Sequence, residues 1–171
     1  MNPIAAPAPC ATWTLDPQLA RDTVGVGDLP LTRVLLMNDA NFPWLVAVPR
    51  AAGAVEIFDL DDAQRVQLMG EVALLARLLK DLTGGDKINI AAIGNVVPQL
   101  HVHVIARRRD DPAWPRPAFG ALPARPYDPP ERERLIEALR REVGLSPDDA
   151  AAHDDSKTSA QPVTFRQQRS D

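Results

Sequence analysis

Two of the three histidines of the chain fall in one seven-residue stretch, Gln99-Leu100-His101-Val102-His103-Val104-Ile105. In an extended strand successive side chains point to opposite faces, so this spelling sets Gln99, His101 and His103 on one side and packs Leu100, Val102 and Val104 on the other. A helix gives no such division. Three chemistries suit the pair. The first is a strand whose exposed face is simply polar. The second is a metal site, since imidazole ligates zinc, copper and iron. Zinc takes roughly four protein ligands when structural and three when catalytic, and beyond the pair only His153 and Cys10 remain, both in terminal segments. Carboxylates could complete such a set, but with so few ligands in the sequence we expect no metal. The third is nucleophilic catalysis, in which a neutral imidazole nitrogen attacks an electrophile and a second imidazole stabilises the developing charge.

The surrounding chain must position that stretch. Leu31–Met37 and Trp44–Val48 are apolar runs separated by Asn38-Asp39-Ala40-Asn41-Phe42-Pro43, which predicts a hairpin of core strands. Asp61–Leu82 repeats Leu68, Val72, Leu75, Leu79 and Leu82 at helical spacing. Asp61 with Gln64 resembles a capping box, and Gly84-Gly85 supplies a stop. Lys87–Ile93 and Leu100–Arg107 read as antiparallel neighbours joined by a turn over Gly94–Pro98. Trp13–Asp22 is expected to be a short strand or turn, and the glycines of Thr23–Gly27 to weaken a regular strand. Prolines exclude regular structure over most of residues 110–130, and Glu131–Val143 forms a short helix with Leu135, Leu139 and Val143 on one stripe. The basic run Arg107-Arg108-Arg109 reads as a solvated strand end, and Trp114 as packing. This order of elements is α+β: an antiparallel sheet of about five strands, one long helix packed on it and a C-terminal helix.

Composition bounds the rest. With 171 residues and 45% hydrophobic content, the chain can bury one core. We expect a single domain over residues 12–145, a loose Ala/Pro-rich segment over 1–11 and a polar, disordered tail over 146–171. A net charge of −4 gives no basic footprint for nucleic acid. One cysteine fits a reducing compartment. No apolar run nears the roughly 20 residues that span a bilayer, and Met1–Ala11 has neither the basic nor the apolar region of a signal peptide, so we expect a cytoplasmic protein that does not engage membranes.

The histidine stretch is similar to the signature of the histidine triad (HIT) superfamily of nucleotide hydrolases and transferases, His-φ-His-φ-His-φ-φ with φ apolar. His101 and His103 match the last two histidines, Leu100, Val102, Val104 and Ile105 match the φ positions, and Gln99 stands at the first histidine. The resemblance implies that His101 is the nucleophile, forming a nucleotidyl-histidine at the α-phosphorus of a nucleotide, and that His103 donates to a phosphate. Related galactose-phosphate uridylyltransferases carry Gln at another triad position, so Gln99 is expected to serve as an amide that orients His101. The similarity runs over about residues 35–109 and implies nucleotide binding by Asn38, Asp39, Asn89 and Asn95. Turn chemistry explains Asn38, Asp39 and Asn95 equally well, and Asn89 could satisfy a sheet edge. Two departures stand out: Pro43-Trp44 where the family commonly has a histidine, and Ala106 where many members have proline. The resemblance further implies a homodimer, a nucleotide substrate such as a dinucleoside polyphosphate, and no cofactor. A different class of function also remains open, a nucleotide-binding regulatory module with little turnover.

Overall fold

The computed structural model describes residues 13–145; the expectations for residues 1–11 and 146–171, and the positions of Cys10 and His153, lie outside the described residues. The order is α1 (Pro17–Asp22), β1 (Thr23–Asp28), β2 (Thr32–Met37), β3 (Trp44–Pro49), α2 (Asp62–Thr83), β4 (Lys87–Ala91), β5 (Val102–Arg107) and α3 (Pro129–Val143). The strands form one antiparallel sheet in the order β1-β2-β3-β5-β4. The α+β architecture expected from the sequence is therefore the fold of the protein.

Both faces of the central strands are covered, which explains why β2, β3 and β5 read as near-continuous apolar runs. On one face Val34, Leu36, Leu45, Ala47, Val102 and Val104 pack against Leu68, Val72, Leu75 and Leu79 of α2, with Ile136 and Leu139 of α3 closing the same core. On the other face Leu35, Trp44, Val46 and Ile105 pack under Leu19 of α1 and under Ala113 and Ala118 of the proline-rich segment. The histidines lie on this second face, because His103 pairs with Val46 across β3 and β5.

Several boundaries differ from those read in the sequence, each for a local reason. Asp16 accepts from the Gln18 N–H at 2.7 Å and Pro17 sits in the first turn, so residues 17–22 form a helix and not a strand. Thr23–Asp28 is a strand despite its glycines, which instead accommodate a register shift between Gly25 and Gly27. The long helix has the reciprocal Asp61/Gln64 box and a left-handed Gly84 at its end. Leu82, expected on its buried stripe, is exposed. Strands β4 and β5 stop short of Ile93 and Leu100, leaving residues 92–101 as the loop that builds the site. The last helix begins two residues earlier than expected, because Pro129 and Pro130 occupy its first turn, where no N–H is needed. Its fully buried residues are Ile136 and Leu139, with Leu135 and Val143 packed at the margin.

Arg107 overturns the solvated strand end. It is 1% exposed, and its guanidinium makes two bonds to the Asp111 carboxylate, at 2.7 and 2.8 Å, and others to Asn89 Oδ1 and the Arg116 carbonyl. A charge on the buried parity of β5 survives only with such pairing. Arg108 and Arg109 are exposed as expected.

One carboxylate fastens α2 to the sheet. Glu71, 4% exposed, accepts from the N–H groups of Leu31 and Thr32, from the Thr32 hydroxyl and from Gln67 Nε2. Glu71→Ala leaves the fully buried Thr32 without these partners. It is expected to lower the unfolding free energy by about 3 kcal/mol, read as a shift in the denaturant midpoint at unchanged slope.

Candidate active site

His101 sits just before β5 and His103 within it, their rings edge to face at 4.8 Å between centroids. Both are nearly buried, at 5% and 6% exposure. His101 Nδ1 lies 2.7 Å from the main-chain carbonyl of Gln99. A carbonyl only accepts, so Nδ1 carries the proton and the lone pair of the neutral ring is on Nε2. That is the tautomer a nucleophile needs. The ring lines a cavity of about 150 Å3 together with Glu56, Gly94, Asn95 and Pro98. Gly94 permits the turn beside it, since a Cβ there would stand 3.0 Å from the Val97 carbonyl oxygen and 4.0 Å from His101 Cε1.

The side chain of Gln99 does something else. Its Nε2 donates to the Thr14 carbonyl at 2.8 Å and its Oε1 accepts from the Asp16 N–H at 2.9 Å. The amide thus acts like one more peptide group, holding the N-terminal segment against the start of the catalytic strand. The orienting bond expected from the Gln99 amide is made by the Gln99 backbone, because the side chain is committed to Thr14 and Asp16. Trp13, Thr14 and Gln99 also wall a second cavity of about 270 Å3, which shares Val55 with the first.

Trp44, noted in the sequence only as a departure, supports the other ring. Its Nε1–H donates to His103 Nδ1 at 3.0 Å, and Phe119 packs edge-on to both rings, at 5.0 Å from Trp44 and 5.1 Å from His103. An indole N–H only donates, so Nδ1 of His103 must stay unprotonated. Burial first, and the neighbouring His101 second, push His103 from its ordinary 6.5 down to about 4, against a backbone hydrogen bond to Ile93 that favours the charged ring. His103 is therefore neutral at physiological pH, with its proton on Nε2.

Among the four residues expected to bind a nucleotide, Asn95 alone is brought to the His101 cavity. Asn38 Oδ1 accepts from the Tyr127 N–H, Asp39 Oδ1 from the N–H groups of Asn41 and Arg125, and Asn89 Oδ1 from Arg107. These three tie down the segments that cross the sheet. Glu56 also lines the cavity, and nothing in the sequence marks it, because it lies in a stretch without periodicity. No cluster of three or more histidine, cysteine or acidic side chains with metal-binding geometry occurs among the described residues.

A HIT-domain family model matches residues 18–110. The chain belongs to the HIT family. Its fold is shared with a histidine triad protein from Bradyrhizobium japonicum that is 53% identical, with a TM-score of 0.77 over 78% of this chain and 99% of that one. A HIT protein from Sinorhizobium meliloti is 45% identical, at a TM-score of 0.75 over 76% and 96% of the two chains. Another, from Marinobacter aquaeolei, is 41% identical, at 0.76 over 80% and 100%. No curated protein matches. Membership places this HIT protein in a superfamily of nucleotide hydrolases and transferases, and no helix among its described residues is long and apolar enough to cross a membrane.

The depressed His103 fixes a pH dependence for this HIT protein. The unfolded ring binds its proton near pH 6.5 and the folded ring near 4. The unfolded state thus holds more protons between those values, and stability falls as pH drops through that window. The change amounts to at most about 3 kcal/mol. Denaturant unfolding at pH 7 and pH 4.5 should show a loss smaller by about 2 kcal/mol in His103→Gln than in the natural chain.

Proposed function

We propose that this protein is a nucleotide hydrolase or nucleotidyltransferase that cleaves a phosphoanhydride or phosphoramidate bond in two steps through His101. The observation that carries this reading is the His101 ring, held in its Nδ1–H tautomer by the Gln99 carbonyl and set on the wall of a cavity. In the first step the Nε2 lone pair attacks the α-phosphorus. The bond to the leaving group breaks with its electron pair, which a phosphate keeps as an anion and an amine combines with a proton from solvent; the nucleotidyl group rests on Nε2 while Nδ1–H shares the new positive charge with the Gln99 carbonyl. In the second step water, or another acceptor, attacks the phosphorus and the Nε2–P bond breaks. Neutral His103 keeps the His101 ring edge-on and adds no cationic charge beside it, which preserves the nucleophilicity of Nε2. In this reading Gln99 is a positioning residue, Asn95 contacts the substrate in the cavity, and Asn38, Asp39 and Asn89 reach a nucleotide only by exchanging their internal bonds.

Charge narrows the substrate. Among the described residues the cavity lining holds no lysine or arginine, and Glu56 adds a carboxylate. Anions gain little there, so phosphoramidates and short mixed anhydrides fit the site better than long dinucleoside polyphosphates. The single cysteine fits a cytoplasmic setting.

Rapid mixing with a nucleoside phosphoramidate and quenching without acid should trap one nucleotidyl group on His101. His101→Ala should lose turnover by at least about 10⁴-fold. Tight nucleotide binding with neither adduct nor turnover would instead support a regulatory module.

We also propose that two copies join along β4. This strand has an unpaired outer edge, its Ile90 is exposed on the face that α2 covers, and Val66 and Met69 of α2 are exposed as well. Open apolar edges of this kind are normally covered. Sedimentation at tens of micromolar should give a dimer for the natural chain and a monomer for Ile90→Lys; a natural chain that sediments as a monomer refutes the pairing.

A further inference from the structure

The second step of the proposed reaction needs a base to take a proton from the attacking water, and neither imidazole can be that base. In the intermediate, Nε2 of His101 is bonded to phosphorus and Nδ1–H remains on the Gln99 carbonyl. The His103 Nδ1 lone pair is taken by the Trp44 N–H, and in the neutral ring the other nitrogen carries the proton and has no lone pair to offer. Gln99 and Asn95 carry amides, which do not titrate near neutral pH. Among the described residues lining the cavity, the one titratable side chain besides His101 is Glu56.

The main chain holds Glu56 in place from both sides. Two residues before it, the Ala54 carbonyl accepts from the Leu100 N–H at 2.9 Å, which fastens this segment to the residue preceding His101. Three residues after it, the Asp59 carboxylate accepts from the N–H groups of Val55 and Glu56, at 2.9 and 2.8 Å. The Asp59 N–H in turn donates to the Glu56 main-chain carbonyl at 3.0 Å, closing the turn around it. A carboxylate offers two oxygens and about four lone-pair directions, so the Glu56 side chain can accept from a water entering the cavity it lines.

We propose that Glu56 is the general base for breakdown of the nucleotidyl-His101 intermediate. As the water oxygen attacks, the O–P bond forms and the Nε2–P bond breaks. The electron pair of that bond returns to the imidazole, and the water proton moves to the Glu56 carboxylate, which releases it to solvent. The product is the nucleoside monophosphate, and His101 is restored as the Nδ1–H tautomer. This assignment rests on the two-step reading above and adds to it the residue that governs the second step.

Glu56→Gln is the decisive variant, because an amide keeps the size and polarity of the carboxylate, and the main-chain bonds that hold the segment, but takes up no proton. With a nucleoside phosphoramidate as substrate, the first-step burst should remain while steady turnover falls on the order of 100-fold, so that the His101 adduct accumulates to nearly one per chain. A merely structural role would not separate the two steps in this way. Turnover of Glu56→Gln within about threefold of the natural chain, or equal slowing of both steps without accumulation, overturns the role of Glu56 alone. Absence of any adduct in the natural chain overturns the two-step reading, and this assignment with it.

Discussion

The hydrogen bond from His101 Nδ1–H to the Gln99 carbonyl decides what the polar face of this sheet can do. It selects one tautomer out of two, and a neutral imidazole of the other tautomer would have no lone pair at Nε2. The bond is short range, two residues apart, and geometrically possible only because β5 begins at Val102. Were residues 99–101 part of the regular strand, the Gln99 carbonyl would be spent on a ladder. The loop that delays the start of β5 is thus what makes its own carbonyl available to a side chain.

The face of β5 that continues the line of His101 carries His103 and Arg107, and burial resolves each of the three differently. Arg107 keeps its charge by surrounding it with Asp111, Asn89 and a main-chain carbonyl, and its guanidinium also lies over the Phe42 ring at 5.3 Å. His103 gives up its charge, since among the described residues no anion pairs with it and Trp44 supplies a donor where a protonated ring would need an acceptor. His101 borders the cavity of about 150 Å3. One strand thereby places a neutral support between a reactive ring and a structural cation, an order dictated by what surrounds each position and not by its parity alone.

The parity itself was legible in the sequence, as were the hairpin, the long helix with both of its caps and the antiparallel pairing of β4 with β5. These follow from local alternation, helical spacing and turn chemistry, which a single sequence displays directly. Arg107 was misread because its partner Asp111 lies in the proline-rich segment, where no periodicity shows which side chains turn inward. The Gln99 amide was read as facing its neighbour His101, and its actual partners are main-chain groups of a segment whose sequence carries no mark of pairing. Glu56 escaped for a related reason: its place beside His101 is set by backbone bonds at Ala54 and Asp59. Side-chain pattern foretells faces; it does not foretell which backbone groups will find one another across the chain.

The Gln99 clamp joins residues 83 and 85 positions apart. Closing a loop of that length has an entropic cost that local contacts do not share, and contacts of this separation are the slow ones to form. Three strands, the long helix and β4 all lie within the enclosed stretch. Most of the enclosed sheet must therefore be in place before Thr14 and Asp16 can meet the amide that holds them. The wall they form is among the last parts of the molecule to assemble, so a partly folded chain would carry its two histidines long before it had a finished chamber around them.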